Sequence, residues 1–143
     1  MFTYESLDKV ADSYIPLLLV ISFFYLIRLM IAKNWRKLIL QTFSLIFYLG
    51  VAYAGMFIDL NFGIWARLGL DYSTHTALSL SIVMWLNYRV PRFVILWNMT
   101  LVAYFLLMLY QKYHSFADII TTSLPIGISL LYMRRLGADL WKN

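Results

Sequence analysis

YIPLLLVISFFYLIRLMIA, residues 14–32, carries one charge in 19 positions, Arg28, and is followed directly by Lys33, Arg36 and Lys37. A bilayer's hydrocarbon core is about 30 Å thick and takes roughly 20 apolar residues of helix to cross. The stretch therefore reads as a membrane-spanning helix. A cleaved signal peptide has its positive charges ahead of the apolar run and small residues after it. Here Glu5, Asp8 and Asp12 precede the run and the cations follow, so the segment is expected to be retained.

The same pattern repeats along the chain, with apolar blocks at about 38–58, 73–88, 93–110 and 114–133 separated by short polar turns. Of the 143 residues, 62% are hydrophobic and 13% charged, and the mean hydropathy is +0.72, too little polar surface for a soluble domain. The sequence thus predicts an all-α, polytopic membrane bundle of about five transmembrane helices forming a single membrane domain over residues 1–143. Residues 2–13 (Phe2, Tyr4, Leu7, Val10) are expected to form a short amphipathic interfacial helix. Gly50 and Ala54 offer a small-xxx-small spacing for close helix contact. Pro125 and Gly127 predict a kink, with Thr121 or Thr122 relieving the freed carbonyls.

Charge orients the bundle. With the N-terminus outside, the inner side holds Arg28, Lys33, Arg36, Lys37, Arg89, Arg92, Arg134, Arg135 and Lys142, nine cations against Lys9, Arg67 and Lys112 outside. That asymmetry follows the positive-inside rule and predicts N-out, C-in. Short loops suit a bacterial inner membrane. The net charge of +5 is thereby assigned to topology, and no nucleic acid partner is expected. The absence of cysteine removes disulfides, thiol nucleophiles and cysteine metal sites.

This topology brings the only two histidines, His75 and His114, to the non-cytoplasmic face. Asp118 follows His114 by four residues, which on a helix places it on the same face one turn deeper. An unpaired carboxylate at that depth costs on the order of 2–3 kcal/mol, so His114 is its expected partner. Such pairing fixes the imidazole tautomer and prepares a nucleophile or base. Ser73-Thr74-His75-Thr76 opens the third span, with Ser73 as N-cap and free N–H groups and the positive dipole end facing the same side. A phosphate fits there, with Arg67 and Lys112 the nearby cations. Together these groups predict phosphoryl transfer without a metal or cofactor.

The Ser73-Thr74-His75-Thr76 stretch, followed after 39 residues by His114-Ser115-Phe116-Ala117-Asp118, resembles the motifs of the type 2 phosphatidic acid phosphatase superfamily, nearest the branch containing sphingomyelin synthases. The resemblance covers roughly residues 67–120. It implies that His114 is a nucleophile forming a phosphohistidine, Asp118 its orienting partner and His75 the general acid. It also implies a lipid phosphate or phospholipid substrate, taken from the bilayer and either dephosphorylated or stripped of its headgroup by transfer, with no metal. Thr74 stands where the family has glycine, and Arg67 is the nearest candidate for the family's phosphate-clamping arginine. Ser73, Thr74, Thr76 and Lys112 complete the expected substrate contacts. Two other readings use the same residues: a His/Asp metal or haem site at His75, His114 and Asp118, and a non-catalytic membrane protein that binds lipid or a partner.

Overall fold

A computed structural model of the protein describes the backbone of residues 4–140 and the side chains of residues 7–135. It is all-helical: α1 (Tyr4–Ile31), α2 (Trp35–Phe62), a single turn α3 (Ile64–Arg67), α4 (Thr74–Arg89), a 3-10 turn at Pro91–Phe93, α5 (Val94–Tyr110) and α6 (Phe116–Leu140). Four segments, Leu7–Ile31, Trp35–Phe62, Pro91–Tyr110 and Phe116–Arg135, are long and apolar enough to cross a membrane. The protein is built as an integral membrane protein. Lys142, and the side chains of Glu5 and Asp139, lie outside the described residues.

The four long helices surround α4. This helix packs against α1, α2, α5 and α6, and buries Thr76, Ala77, Ser79, Ile82, Val83 and Trp85, which lie all around its circumference. Small and hydroxyl-bearing residues make that close approach possible from every side. At a rise of 1.5 Å per residue its 16 residues extend only about 24 Å. A helix wrapped by others need not reach both lipid–water boundaries, because its end groups meet protein. The outer helices turn Phe23, Phe24, Ile46, Phe57, Ile95 and Leu106 outward. In water such a surface would aggregate; against acyl chains it is solvated.

Helix alternation gives the bundle two ends. The histidine end collects the start of α1, the α2–α4 connection and the α5–α6 turn. The basic end collects the α1–α2 and α4–α5 turns and the end of α6, with Lys33, Arg36, Lys37, Arg89, Arg92, Arg134 and Arg135. At the histidine end Asp8 accepts hydrogen bonds from the Tyr113 hydroxyl and from Gln111 Nε2 (3.3 Å), tying α1 to the α5–α6 turn. Nearly two turns deeper, Tyr14 stacks on Tyr104 with ring centroids 4.3 Å apart.

Two local expectations change. Residues 4–13 do not form a separate interfacial helix but continue into α1, because Ala11 is buried and Asp8 is anchored. Residues 59–62 extend α2, which ends at Gly63 with φ of 57°, its N–H donating to the Asp59 carbonyl (2.6 Å). α6 runs as helix from Phe116 to Leu140 with Pro125 inside it. The Thr121 hydroxyl there turns to the Ala117 carbonyl (2.7 Å).

The small residues that matter in α2 are also different. Gly50 faces open space, and Ala54 is exposed. The close approach falls at Ala52 and Gly55, where the Tyr72 hydroxyl donates to the Ala52 carbonyl (2.6 Å) and a Cβ on Gly55 would lie 2.5 Å from that hydroxyl. Tyr72 is held from its other side by an edge-on contact with Trp65, ring centroids 5.0 Å apart, so it has little room to retreat. Gly55→Ala should therefore lower stability by about 1–3 kcal/mol. Gly50→Ala should be neutral or slightly stabilising. Thermal unfolding of both variants in one detergent checks this; equal melting temperatures would contradict it.

Candidate functional site

Asp118 lies in the first turn of α6, and only 6% of its surface is exposed. Its Oδ1 accepts the backbone N–H of Asp71 (2.9 Å) and its Oδ2 that of Ser115 (2.7 Å). The Ser115 hydroxyl in return accepts the Asp118 N–H (3.1 Å). Ser115 and Asp118 thus form a reciprocal capping box at the start of α6. The bond to Asp71 is the non-local part. It fastens the segment leading into His75 to the segment carrying His114.

The neighbouring residues repeat this pattern. The Thr122 hydroxyl accepts the N–H of Ser73 (3.1 Å), and the Thr121 hydroxyl accepts the indole N–H of Trp65 (3.1 Å). Trp65 is held from below as well, its backbone N–H donating to Asp59 Oδ1 (2.8 Å). Consecutive turns of α6 therefore supply the acceptors that fix the 65–73 connection. Asp59, Asp71 and Trp65 are not among the site residues expected from the sequence, yet all three build this end. The only signal was the position of Asp71 and Tyr72 immediately before Ser73.

His114 is not on a helix. It precedes Ser115, the residue that caps α6, and follows a turn in which Lys112 takes a φ of 58°. That left-handed conformation in a residue other than glycine is mildly strained and is held by the surrounding turn bonds. The imidazole is half-buried. Its Nδ1 is buried without a hydrogen-bond partner. Asp118 therefore does not orient His114 by a direct hydrogen bond, since its oxygens are engaged by backbone N–H groups. It acts on the imidazole through space.

Burial pushes the His114 pKa below the ordinary histidine value of 6.5; Asp118 opposes this, His75 adds to the lowering, and Asp71 raises it. Four groups from two connections thus share one electrostatic neighbourhood. His75 is exposed on the first turn of α4.

Ser73 caps α4 as expected: its hydroxyl accepts the Thr76 N–H (3.2 Å) and donates to Thr76 Oγ1 (2.8 Å). Both residues are fully buried, so their hydroxyls serve each other, and Thr74 is the partly accessible hydroxyl of the motif. The N–H groups of Thr74 and His75, in the first turn, have no acceptor within the helix. Arg67, at the end of α3, and Lys112 are both exposed, and neither side chain has a hydrogen-bond or ion-pair partner among the described residues. No group of three or more His, Cys, Asp or Glu side chains among the described residues is arranged to hold a metal ion.

Beneath Trp65 and Tyr72 a cavity of about 450 Å³ opens between α2 and α6, lined by Gly55, Ile58, Pro125 and Ile126 and reaching Met133. Burial raises the Tyr72 pKa to about 12, with Asp59 adding to the effect, so its hydroxyl remains a donor.

The chain matches no family model, no curated protein and no solved structure.

Two outcomes follow from this geometry. Asp118→Ala leaves two backbone N–H groups without their acceptor and should lower stability by about 1–3 kcal/mol for each; Asp118→Asn, which keeps an acceptor oxygen, should lose less. A chemical-shift titration should give His114 a midpoint below 6.5, and His75→Gln should raise it by removing a neighbouring positive charge. A midpoint unmoved by His75→Gln would mean that the imidazoles do not share a site.

Proposed function

We propose that this protein is a metal-independent lipid phosphatase or phospho-headgroup transferase, acting at the non-cytoplasmic leaflet through a phosphohistidine. The observation that carries the reading is the pair of hydrogen bonds that Asp118 accepts from Asp71 N–H and Ser115 N–H, which ties together the two histidine-bearing segments. The resemblance to the type 2 phosphatidic acid phosphatase superfamily points the same way. In this reading α4 also counts as a span, the third of five, the N-terminus is outside, and a bacterial inner membrane is the natural setting.

His114 Nε2 attacks the phosphorus of a lipid phosphate as the bond from phosphorus to the lipid oxygen breaks. His75 gives its proton to that oxygen, so the lipid leaves as a neutral alcohol. Water, or the hydroxyl of a second lipid, then attacks the phosphohistidine, gives its proton to His75 and releases His114. Asp118 and Asp71 stabilise positive charge on His114 through space, and the N–H groups of Thr74 and His75 with Arg67 and Lys112 meet the phosphate oxygens. The apolar cavity between α2 and α6 supports a lipid substrate, because a chain lying there would bring its headgroup to the histidine end.

One observation favours a second reading, a non-catalytic lipid-binding protein: the hydroxyls of Ser73 and Thr76 are already bonded to each other. Phosphate or headgroup release from a lipid panel separates the two. Wild type should turn over at least one lipid, and His114→Ala should reduce the rate by several orders of magnitude. Equal rates would sink the enzymatic reading. Because the His114 pKa lies below 6.5, the imidazole is the free nucleophile at neutral pH, and the acid limb of kcat/KM should fall below that value. Arg67→Ala should slow turnover with the fold intact; an unchanged rate would assign the clamp to Lys112 or to backbone N–H groups.

A further inference from the structure

The basic end of the bundle holds a second polar cluster, assembled from four helices. Arg89, in the last turn of α4, reaches α2, where its Nη2 donates to the Ser44 hydroxyl (3.1 Å). Its Nε is buried and has no acceptor. Tyr25 of α1, Tyr48 of α2 and Arg134 of α6 lie within electrostatic reach of it. The guanidinium of Arg134 sits 3.6 Å over the ring of Tyr88. One turn before Arg89, Trp85 is fully buried against the edge of Tyr25, and its indole N–H also lacks a partner.

The cluster is rich in donors and, among the described residues, has no anion. Two guanidiniums and three tyrosines share one electrostatic neighbourhood, while Asp8, Asp12, Asp59, Asp71 and Asp118 all belong to the histidine end. No carboxylate among the described residues pairs with either arginine. Arg89 is part-buried beside a second like charge, Arg134, and an unpaired donor inside the bundle adds a further penalty. A purely topological arginine would extend its side chain to the interface and keep its water. Arg89 instead turns inward to Ser44.

We propose that this cluster is a binding site for a phosphate group, distinct from the histidine end. Arg89 and Arg134 supply charge-assisted hydrogen bonds, and the hydroxyls of Tyr48 and Tyr88 supply further donors. A phosphate there satisfies Arg89 Nε and cancels the repulsion between the two guanidiniums. It can come from the headgroup of an anionic phospholipid in the adjacent leaflet or from free phosphate in solution.

The test is calorimetric titration of the protein in a zwitterionic detergent with a short-chain phosphatidylglycerol and, separately, with inorganic phosphate. A His114→Ala background keeps the histidine end from turning either over. Binding of the lipid alone assigns a headgroup, and binding of inorganic phosphate assigns a free anion. Either supports the site, provided that Arg134→Gln, an exposed position whose loss should leave the fold intact, weakens affinity roughly tenfold or more. Arg89→Gln should do the same, and Arg92→Gln, at the same end over the ring of Phe93, should not. Binding of neither probe, or binding unchanged in Arg134→Gln, would overturn the proposal.

Discussion

The carboxylate of Asp118 is the interaction on which the histidine end depends. Buried in the first turn of α6, it can remain charged only because it accepts two backbone N–H groups. One of these, from Ser115, is local and starts the helix. The other, from Asp71, crosses to the connection that precedes α4. A side chain without an acceptor oxygen would leave both N–H groups unpaired, and an alternative path of the 65–73 connection would leave the carboxylate half-satisfied. Thr121 and Thr122 extend the same logic along α6 by accepting Trp65 Nε1 and Ser73 N–H. The position of His75 relative to His114 is thus set by α6.

The rest of the bundle supports this arrangement through α4. A helix carrying Ser73, Thr76, Ser79 and Ser81 would be poorly placed against lipid, where polar side chains lack partners. Surrounded by four apolar helices it becomes the polar spine of the protein. Its first turn presents His75 at one end and its last turn presents Arg89 at the other. The opposite chemistries of the two ends follow from charge: the described acids lie at the histidine end, and most cations at the basic end.

Much of this was legible in the sequence. The apolar blocks gave the helices, because hydropathy over 20 residues is a strong local signal, and Ser73 as the cap of α4 followed from side-chain chemistry. The extension of α1 back to Tyr4 was not legible, since it depends on Asp8 meeting Tyr113 and Gln111 from the far side of the chain. The small residues of α2 were misplaced for a similar reason. Gly50 and Ala54 satisfy the spacing, but only the position of Tyr72 reveals that Gly55 is the one with no room for a Cβ. For Asp118 the sequence identified the residue and its need for partners, yet not the backbone N–H groups that supply its hydrogen bonds. Helical spacing pairs it with His114, whereas the cap residue Ser115 starts α6 after His114 and takes that carboxylate instead. The donors and acceptors of a backbone carry no residue-type signature, so a bond such as that from Asp71 N–H is invisible until the chain is folded.

The central claim is that the end organised by Asp118 makes His114 a nucleophile toward phosphorus, and the covalent intermediate tests it most directly. Wild type incubated with a lipid phosphate, quenched under alkaline conditions that preserve phosphohistidine and analysed by peptide mass spectrometry should carry one added phosphoryl group on His114. On the proposed mechanism the adduct should be trapped by rapid quenching during turnover, with His75 intact. Turnover of the lipid with His114 unmodified, or with the phosphoryl group on another residue, would contradict the account.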